Sequence, residues 1–392
     1  MPISTKPHRG AKQIKRMTGL SKPVTTFSKS KLADLCARAQ RDVDAGLEHG
    51  GVQGCALALA YESEIVFERG FGEAKSETPM LIWSPTKTVI EAALWLLYGT
   101  GQLQPSDPVI KFIPEFGSNG KATITLEMIE THTSAFAKQP LDFPDFIDRQ
   151  KRLEAFKNWK VEGVPGTFYE YHPGSGAWVL AEVIESVTGR DYREFLKSEV
   201  LRPLGLADLH KLSLGEPQDL QCATLKPINC IQGWTPDPAK RPPLAHSYQS
   251  ERALAVRVPG SGAVGTPSGL ALLYQAYLHN PGKLWNGDIL DDAKHTTRVR
   301  MPDVFGRPMV RSLSFCQADE IKGRYGERTF FGTKTSARAF GHQGQGGQIV
   351  WADPATGVSF SYLTNTIVFP PGGCFHPRAQ ELSTLAAAAF NR

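Results

Sequence analysis

Ser84 and Lys87 place a hydroxyl and an amine three residues apart at the head of a dense apolar run. On a helix that spacing sets them one turn apart on the same face. Were the lysine desolvated, its ammonium would be disfavoured, and the neutral amine would take the serine proton and leave a nucleophile. Pro85 fits the first helical position and Ser84 the N-cap, with the helix expected from Thr88 to Leu97 and stopping near Gly99 and Gly101. There the hydroxyl would meet unpaired N–H groups and the positive dipole end, which favour a developing oxyanion. The same S-x-x-K pattern occurs at Ser28/Lys31, in a basic tail, and at Ser118/Lys121, in the polar turn Gly117-Ser118-Asn119-Gly120. Only Ser84 heads an apolar helix. Taken alone, a capping serine beside a snorkelling lysine accounts for the motif equally well.

Two further segments add chemistry. Pro165 to Trp178 is rich in turn residues, carries Tyr171, and runs into an apolar helix that ends at Gly189. Phe340-Gly341-His342-Gln343-Gly344-Gln345-Gly346-Gly347 leads into a strand. His132 and His172 are candidate general bases but read as helix-cap or loop-bracing residues, and Trp178 reads as core. Trp83, next to Ser84, has an equal claim to the core and to the lining of an acyl pocket. The glycines after His342 are not a phosphate loop, and no G-x-S-x-G elbow is present.

Together these residues resemble the serine β-lactamase-like, penicillin-recognising superfamily, in particular its class C-like branch of esterases and amide hydrolases. The resemblance runs from about Leu32 to Phe390. Besides Ser84-x-x-Lys87 it takes in Ser106-Asp107-Pro108-Val109, Thr131-His132-Thr133-Ser134, the Pro165 to Gly189 block, Gly260 to Thr266, and Phe340 through Asp353-Pro354. It implies Ser84 as the acylated nucleophile, Lys87 as its base and Tyr171 as second base or proton shuttle. The oxyanion hole would be the N–H groups of Ser84 and Gln345, and His342, Gly344 and Trp83 would contact substrate. Where β-lactamases have Tyr-x-Asn, this chain has Tyr171-His172-Pro173, which looks more like the carboxylesterase branch. Where they commonly have Lys-Thr-Gly it has His342-Gln343-Gly344, and a neutral imidazole attracts a carboxylate less than an ammonium does. Lys334-Thr335-Ser336, just upstream, lacks the glycines and the following strand.

These groups need a scaffold. Ser30 to Gly46 has helical spacing, and Val52–Tyr61 and Ile65–Phe71 read as a hairpin around Glu62-Ser63-Glu64. Near the other end, Gln348–Ala352 and Gly357–Leu363 read as strands flanking Asp353-Pro354-Ala355-Thr356, followed by a helix from Pro377 to Phe390. Helices over Ala177–Val187, Tyr192–Val200 and Ser268–Leu278 lie between. The expectation is an α+β fold whose antiparallel sheet is built from both chain ends and flanked by helices. A basic arm would occupy residues 1–30 and an α/β sheet unit 31–80 plus 331–392. A mostly helical insertion would occupy 81–330, with the active site at the junction.

Composition bounds the rest. With 41% apolar and 21% charged residues the chain suits a globular fold of two or three domain-sized units. The densest apolar stretch, Val89 to Tyr98, is too short to span a bilayer and contains Glu91, and the N-terminus lacks the apolar region of a secretory signal, so the cytoplasm is expected. Six scattered cysteines form no C-x-x-C pair and read as reduced thiols, and ten histidines show no ligand spacing, so neither metal nor cofactor is implied. Residues 1–33 hold eight Lys/Arg and no acidic residue, leaving −3 for the remainder against a total of +5. Without interleaved aromatic residues this arm reads as solvated, and no nucleic-acid partner is expected. The implied activity is hydrolysis of a small carboxylic ester through an acyl-enzyme. Alternatives are an amide or peptide hydrolase or an acyltransferase on the same site and, from another class, a scaffold that kept the fold without turnover. The acyl and leaving groups and the oligomeric state are not encoded in these motifs.

Overall fold

The computed structural model describes residues 27–139, 148–216, 221, 226–228, 258–319, 330–368 and 377–390. Most of the basic arm and Cys222, Cys230 and Cys374 lie outside them; Cys36, Cys55 and Cys316 are free thiols. Helix α1 (Lys29–Asp44) is capped by Ser28, whose hydroxyl accepts from the Lys31 N–H, so this S-x-x-K match is a helix cap. Its buried residues Leu35, Ala39 and Asp42 fall on one face. Strands β1 (Gly54–Tyr61) and β2 (Glu64–Gly72) follow as the expected hairpin. The turn is two residues long, because Glu62 and Ser63 both take positive φ (49° and 64°), which matches the twist of the strands.

After β3 (Met80–Leu81) comes α2 (Thr86–Gly99), buried nearly all round, as an apolar helix without a polar face must be. Helices α3 (Leu126–Glu130), α4 (Arg149–Asn158), α5 (Ser175–Thr188) and α6 (Tyr192–Leu196) surround it, α6 continuing as a π turn over Lys197–Leu201. Short strands β4 (Leu212–Ser213), β5 (Lys226–Ile228) and β6 (Val264–Gly265) precede α7 (Pro267–His279) and α8 (Gly287–His295). The chain then adds β7 (Val299–Pro302), β8 (Pro308–Arg311), β9 (Cys316–Gln317), β10 (Phe340–Gly344), β11 (Gln348–Asp353), β12 (Val358–Thr364), β13 (Thr366–Val368) and α9 (Pro377–Ala388).

The main sheet has eight antiparallel strands in the order β2-β1-β12-β11-β10-β9-β8-β7. The two chain ends meet in it as expected, with Cys55 opposite Thr364 and Tyr61 opposite Val358. Strands β7, β8 and β9 extend this sheet from within residues 81–330, the segment read as a mostly helical insertion. Two shorter sheets, β3-β6-β4 and β13-β5, lie beside it.

Strand β1 is buried on both faces, and its alternation decides what covers each. Cys55, Leu57 and Leu59 join Trp351, Phe360 and Tyr362 beneath α1 and α9. Ala58 and Ala60 face the other way, onto Ala271 of α7. The small side chains let α7 lie close. Ser359 and Ser361 donate to the Ala271 and Pro267 carbonyls (2.8 and 2.5 Å), and Gln275 Nε2 donates to the carbonyl of Ala60 (3.1 Å). Among the described residues no helix is long and apolar enough to cross a membrane. Ala58→Leu should force α7 off the sheet and cost about 1–3 kcal/mol, read as a lower urea midpoint.

Candidate active site

Strand β3 pairs with β6, Leu81 opposite Val264, and delivers the chain to a tight turn before α2. The Thr86 and Lys87 N–H groups donate to the carbonyls of Trp83 and Ser84 at 2.8 and 2.9 Å. Trp83 adopts φ 58°, a left-handed backbone uncommon for a bulky residue, and its side chain is held in the core with Leu81, Leu209, Val264 and Ile367. The residue is 2% exposed. The cap differs from expectation by one residue. Helix α2 starts at Thr86 with Pro85 in the cap position, and no side chain caps it. The Ser84 hydroxyl is therefore not spent on the helix end. Between Met80 and Trp95, Ser84 alone is not buried.

One turn on, Lys87 is 3% exposed. Its Nζ donates to the carbonyls of Pro173 and Gly260, both at 2.9 Å, and lies 5.0 Å from the centroid of the Tyr171 ring. Burial pulls its pKa down to about 7; nearby Arg311 pushes the same way and Glu91 opposes. A neutral amine has two hydrogens and one lone pair. The two carbonyls take the hydrogens and leave the lone pair for an incoming proton. Gly260 makes this possible, since a Cβ there would lie 3.0 Å from the Pro173 carbonyl and 3.3 Å from Nζ.

Tyr171 sits in the loop before α5 and is braced from behind. The Glu170 N–H donates to the His132 carbonyl (3.1 Å), the His172 N–H to His132 Nδ1 (3.3 Å), and His172 Nε2 pairs with Ser134 Oγ (3.0 Å). Both imidazoles are buried and kept neutral by desolvation, His172 down to about 3 and His132 well below its ordinary range. They hold the loop, as loop-bracing residues should. The His132 ring packs 4.5 Å from that of Tyr171. Burial raises the Tyr171 phenol, while the facing Ser84 hydroxyl and Arg311 pull it back. It therefore keeps its proton at neutral pH.

The third wall is β10. His342 is buried with its ring 6.2 Å from that of Tyr171, and Nδ1 lies 2.8 Å from the Gln343 carbonyl. Nδ1 must donate there, which leaves Nε2 as an acceptor. Desolvation and the nearby Arg311 hold the ring neutral. At the strand's end, a Cβ on Gly344 would lie 2.9 Å from the Ile82 carbonyl and 3.2 Å from the Trp83 Cβ. The absent side chain lets β10 press against the Ser84 turn. Gln345 follows at the exposed start of the β10–β11 turn.

The structure thus brings Ser84, Lys87, Tyr171, His342 and Gly344 to one place, suited to acyl transfer from an activated serine. Ser118/Lys121 is a loop brace, with Lys121 Nζ donating to the Ser118 carbonyl (2.6 Å) and to that of Trp159. Sequence reasoning passed over Arg311, Glu91 and Glu130, three fully buried ionisable groups behind Lys87. A carboxylate inside the apolar run of α2 was the available signal for Glu91.

A family model described as Beta-lactamase matches residues 39–384. The chain is 25% identical over 357 residues to the protein named Esterase/beta-lactamase LipL of Mycobacterium tuberculosis, covering 81% of this chain and 78% of that one. It is also 25% identical over 345 residues to a putative D-alanyl-D-alanine carboxypeptidase of Escherichia coli, covering 79% and 77%. The fold superimposes on a family VIII carboxylesterase with a TM-score of 0.73 at 22% identity, covering 91% and 97%.

Gly344→Ala should displace β10 from the Ser84 turn. A fall in kcat of about tenfold or more, with an unchanged melting temperature to within a few degrees, is the expected result in steady-state kinetics beside thermal unfolding.

Proposed function

The chain belongs to the beta-lactamase family, and from that premise we propose that it is a serine hydrolase that cleaves a small carboxylic ester through a covalent acyl-enzyme. Ser84 Oγ attacks the ester carbonyl while its proton passes to the lone pair of Lys87 Nζ, with the Tyr171 phenol as relay. The N–H groups of Ser84 and Gln345 receive the oxyanion. Collapse of the tetrahedral intermediate breaks the bond to the alkoxide, which leaves with the proton held on Lys87. Water then adds to the acyl carbon by the same route in reverse and releases the acid. The observation that carries this reading is the Lys87 amine, buried and with its hydrogens directed at the Pro173 and Gly260 carbonyls.

The second residue after Tyr171 favours ester over amide. In a Tyr-x-Asn pattern the amide would stand at position 173, where this chain has Pro173, which offers a substrate no amide side chain and whose carbonyl accepts from Lys87 Nζ at 2.9 Å. Amide hydrolysis on the same site is the second reading, supported by the carboxypeptidase name of the Escherichia coli relative.

Purified protein should hydrolyse p-nitrophenyl butyrate and take up a fluorophosphonate probe, and Ser84→Ala should lose both, with kcat/KM down by at least about 10³-fold. Undiminished turnover in Ser84→Ala rejects the assignment. The pH profile gives a separate check. Below a pKa of about 7 Lys87 carries a third hydrogen and no lone pair, so kcat/KM should fall as pH drops through about 7.

A further inference from the structure

We propose that Glu91 is a positioning residue that acts through Lys87, its buried carboxyl supplying the counter-charge for the proton that Lys87 takes from Ser84. The inference rests on the hydrolase reading above and assigns a role to a residue that reading leaves idle. Glu91 lies four residues beyond Lys87 on the same face of α2, 2% exposed, and its Oε2 has no hydrogen-bond partner among the described residues. A carboxyl so placed is costly unless something compensates it.

Lys87, Glu91 and His132 line one cavity of about 10 Å³, closed by Ile129 and Gly176, the size of a single water molecule. His132 Nδ1 accepts from the His172 N–H, so Nε2 carries the ring hydrogen, and it too has no partner among the described residues. Three polar side chains therefore converge on one small space between amine and carboxyl.

The other charged and titratable groups come from every neighbouring element. From the end of β8, Arg311 is 1% exposed and permanently cationic, favouring an ionised Glu91 and disfavouring an ammonium on Lys87. Ser314, in the turn after β8, also favours the carboxylate. From α3, Glu130 opposes it, itself raised to about 8 by burial and held by the Tyr98 O–H at 2.6 Å. His132, His172 and His342 are neutral, and Tyr171 keeps its phenol proton. Burial lifts the Glu91 carboxyl and lowers the Lys87 amine, so the two compete for a proton as a pair. As the bond from Ser84 Oγ to the acyl carbon forms, the proton moves to Nζ and the Glu91 carboxylate offsets the new charge. When the alkoxide leaves, the proton goes with it from Nζ, and Glu91 ends as it began.

Glu91→Gln keeps the shape and removes the charge. The acid limbs of fluorophosphonate labelling of Ser84 and of p-nitrophenyl butyrate hydrolysis should both move down by about one pH unit, since an amide no longer favours the ammonium. Glu91→Met, of similar volume and suited to a buried helix, should shift them likewise if the amide variant does not fold. Glu91→Asp should keep the limbs near their wild-type position. Superimposable limbs in wild type and the uncharged variants, or a loss of rate equal at every pH, overturn the proposal. A wild-type protein that takes no label overturns the reading of Ser84 and this inference with it.

Discussion

Everything at this site depends on an amine being kept uncharged. An exposed lysine is an ammonium at neutral pH and has no lone pair to offer. Lys87 escapes because it is enclosed, and because Pro173 and Gly260 supply two acceptors for the two hydrogens of the neutral form. Arg311 adds a fixed positive charge that makes a second one nearby unwelcome. Solvation, hydrogen-bond valence and Coulomb repulsion thus act in the same direction, and Glu91 alone among these neighbours opposes them.

Enclosure of that kind has to be built by the whole fold. Helix α2 is surrounded on all sides, by α5 and α6 among others, and its Trp95 packs edge-on against Tyr277 and Trp285 at 5.1 and 5.9 Å. Thr86 ties the start of α2 to the segment that carries Gly260, its hydroxyl accepting from the Ala263 N–H at 3.2 Å. The alanine face of β1 lets α7 lie close to the sheet, and Tyr277 of α7 donates to the Thr88 carbonyl at 2.9 Å. Small residues at the sheet and at Gly344 therefore perform one task at two distances from Ser84, drawing backbone close enough to fix its turn.

Much of this was legible in the residues. The hairpin of β1 and β2 and the strands β11 and β12 follow from apolar alternation punctuated by turn residues, and the Ser84/Lys87 pair follows from helical spacing. The start of α2 was misplaced by one residue because Pro85 satisfies the cap position as well as the first turn, and periodicity does not separate the two. Strands β7 and β9 escaped because they are short and only partly buried, so they lack the pattern that marks β1. Arg311, Glu91 and Glu130 were illegible as a group for a different reason. They come from three elements far apart in the chain, and only tertiary packing makes neighbours of them. The roles proposed for Tyr171 and His342 rest on family likeness, since neither residue has a local pattern that declares it.

The two carbonyls that receive the Lys87 hydrogens belong to residues 86 and 173 positions further along the chain. Ser84 is consequently an ordinary alcohol beside an ordinary cation until both distant segments have docked. Newly made or partly opened polypeptide carries no hazardous electrophile-seeking group, and chemical competence arrives together with the last tertiary contacts. On the proposed mechanism, catalytic power in this molecule is a built-in certificate of completed assembly.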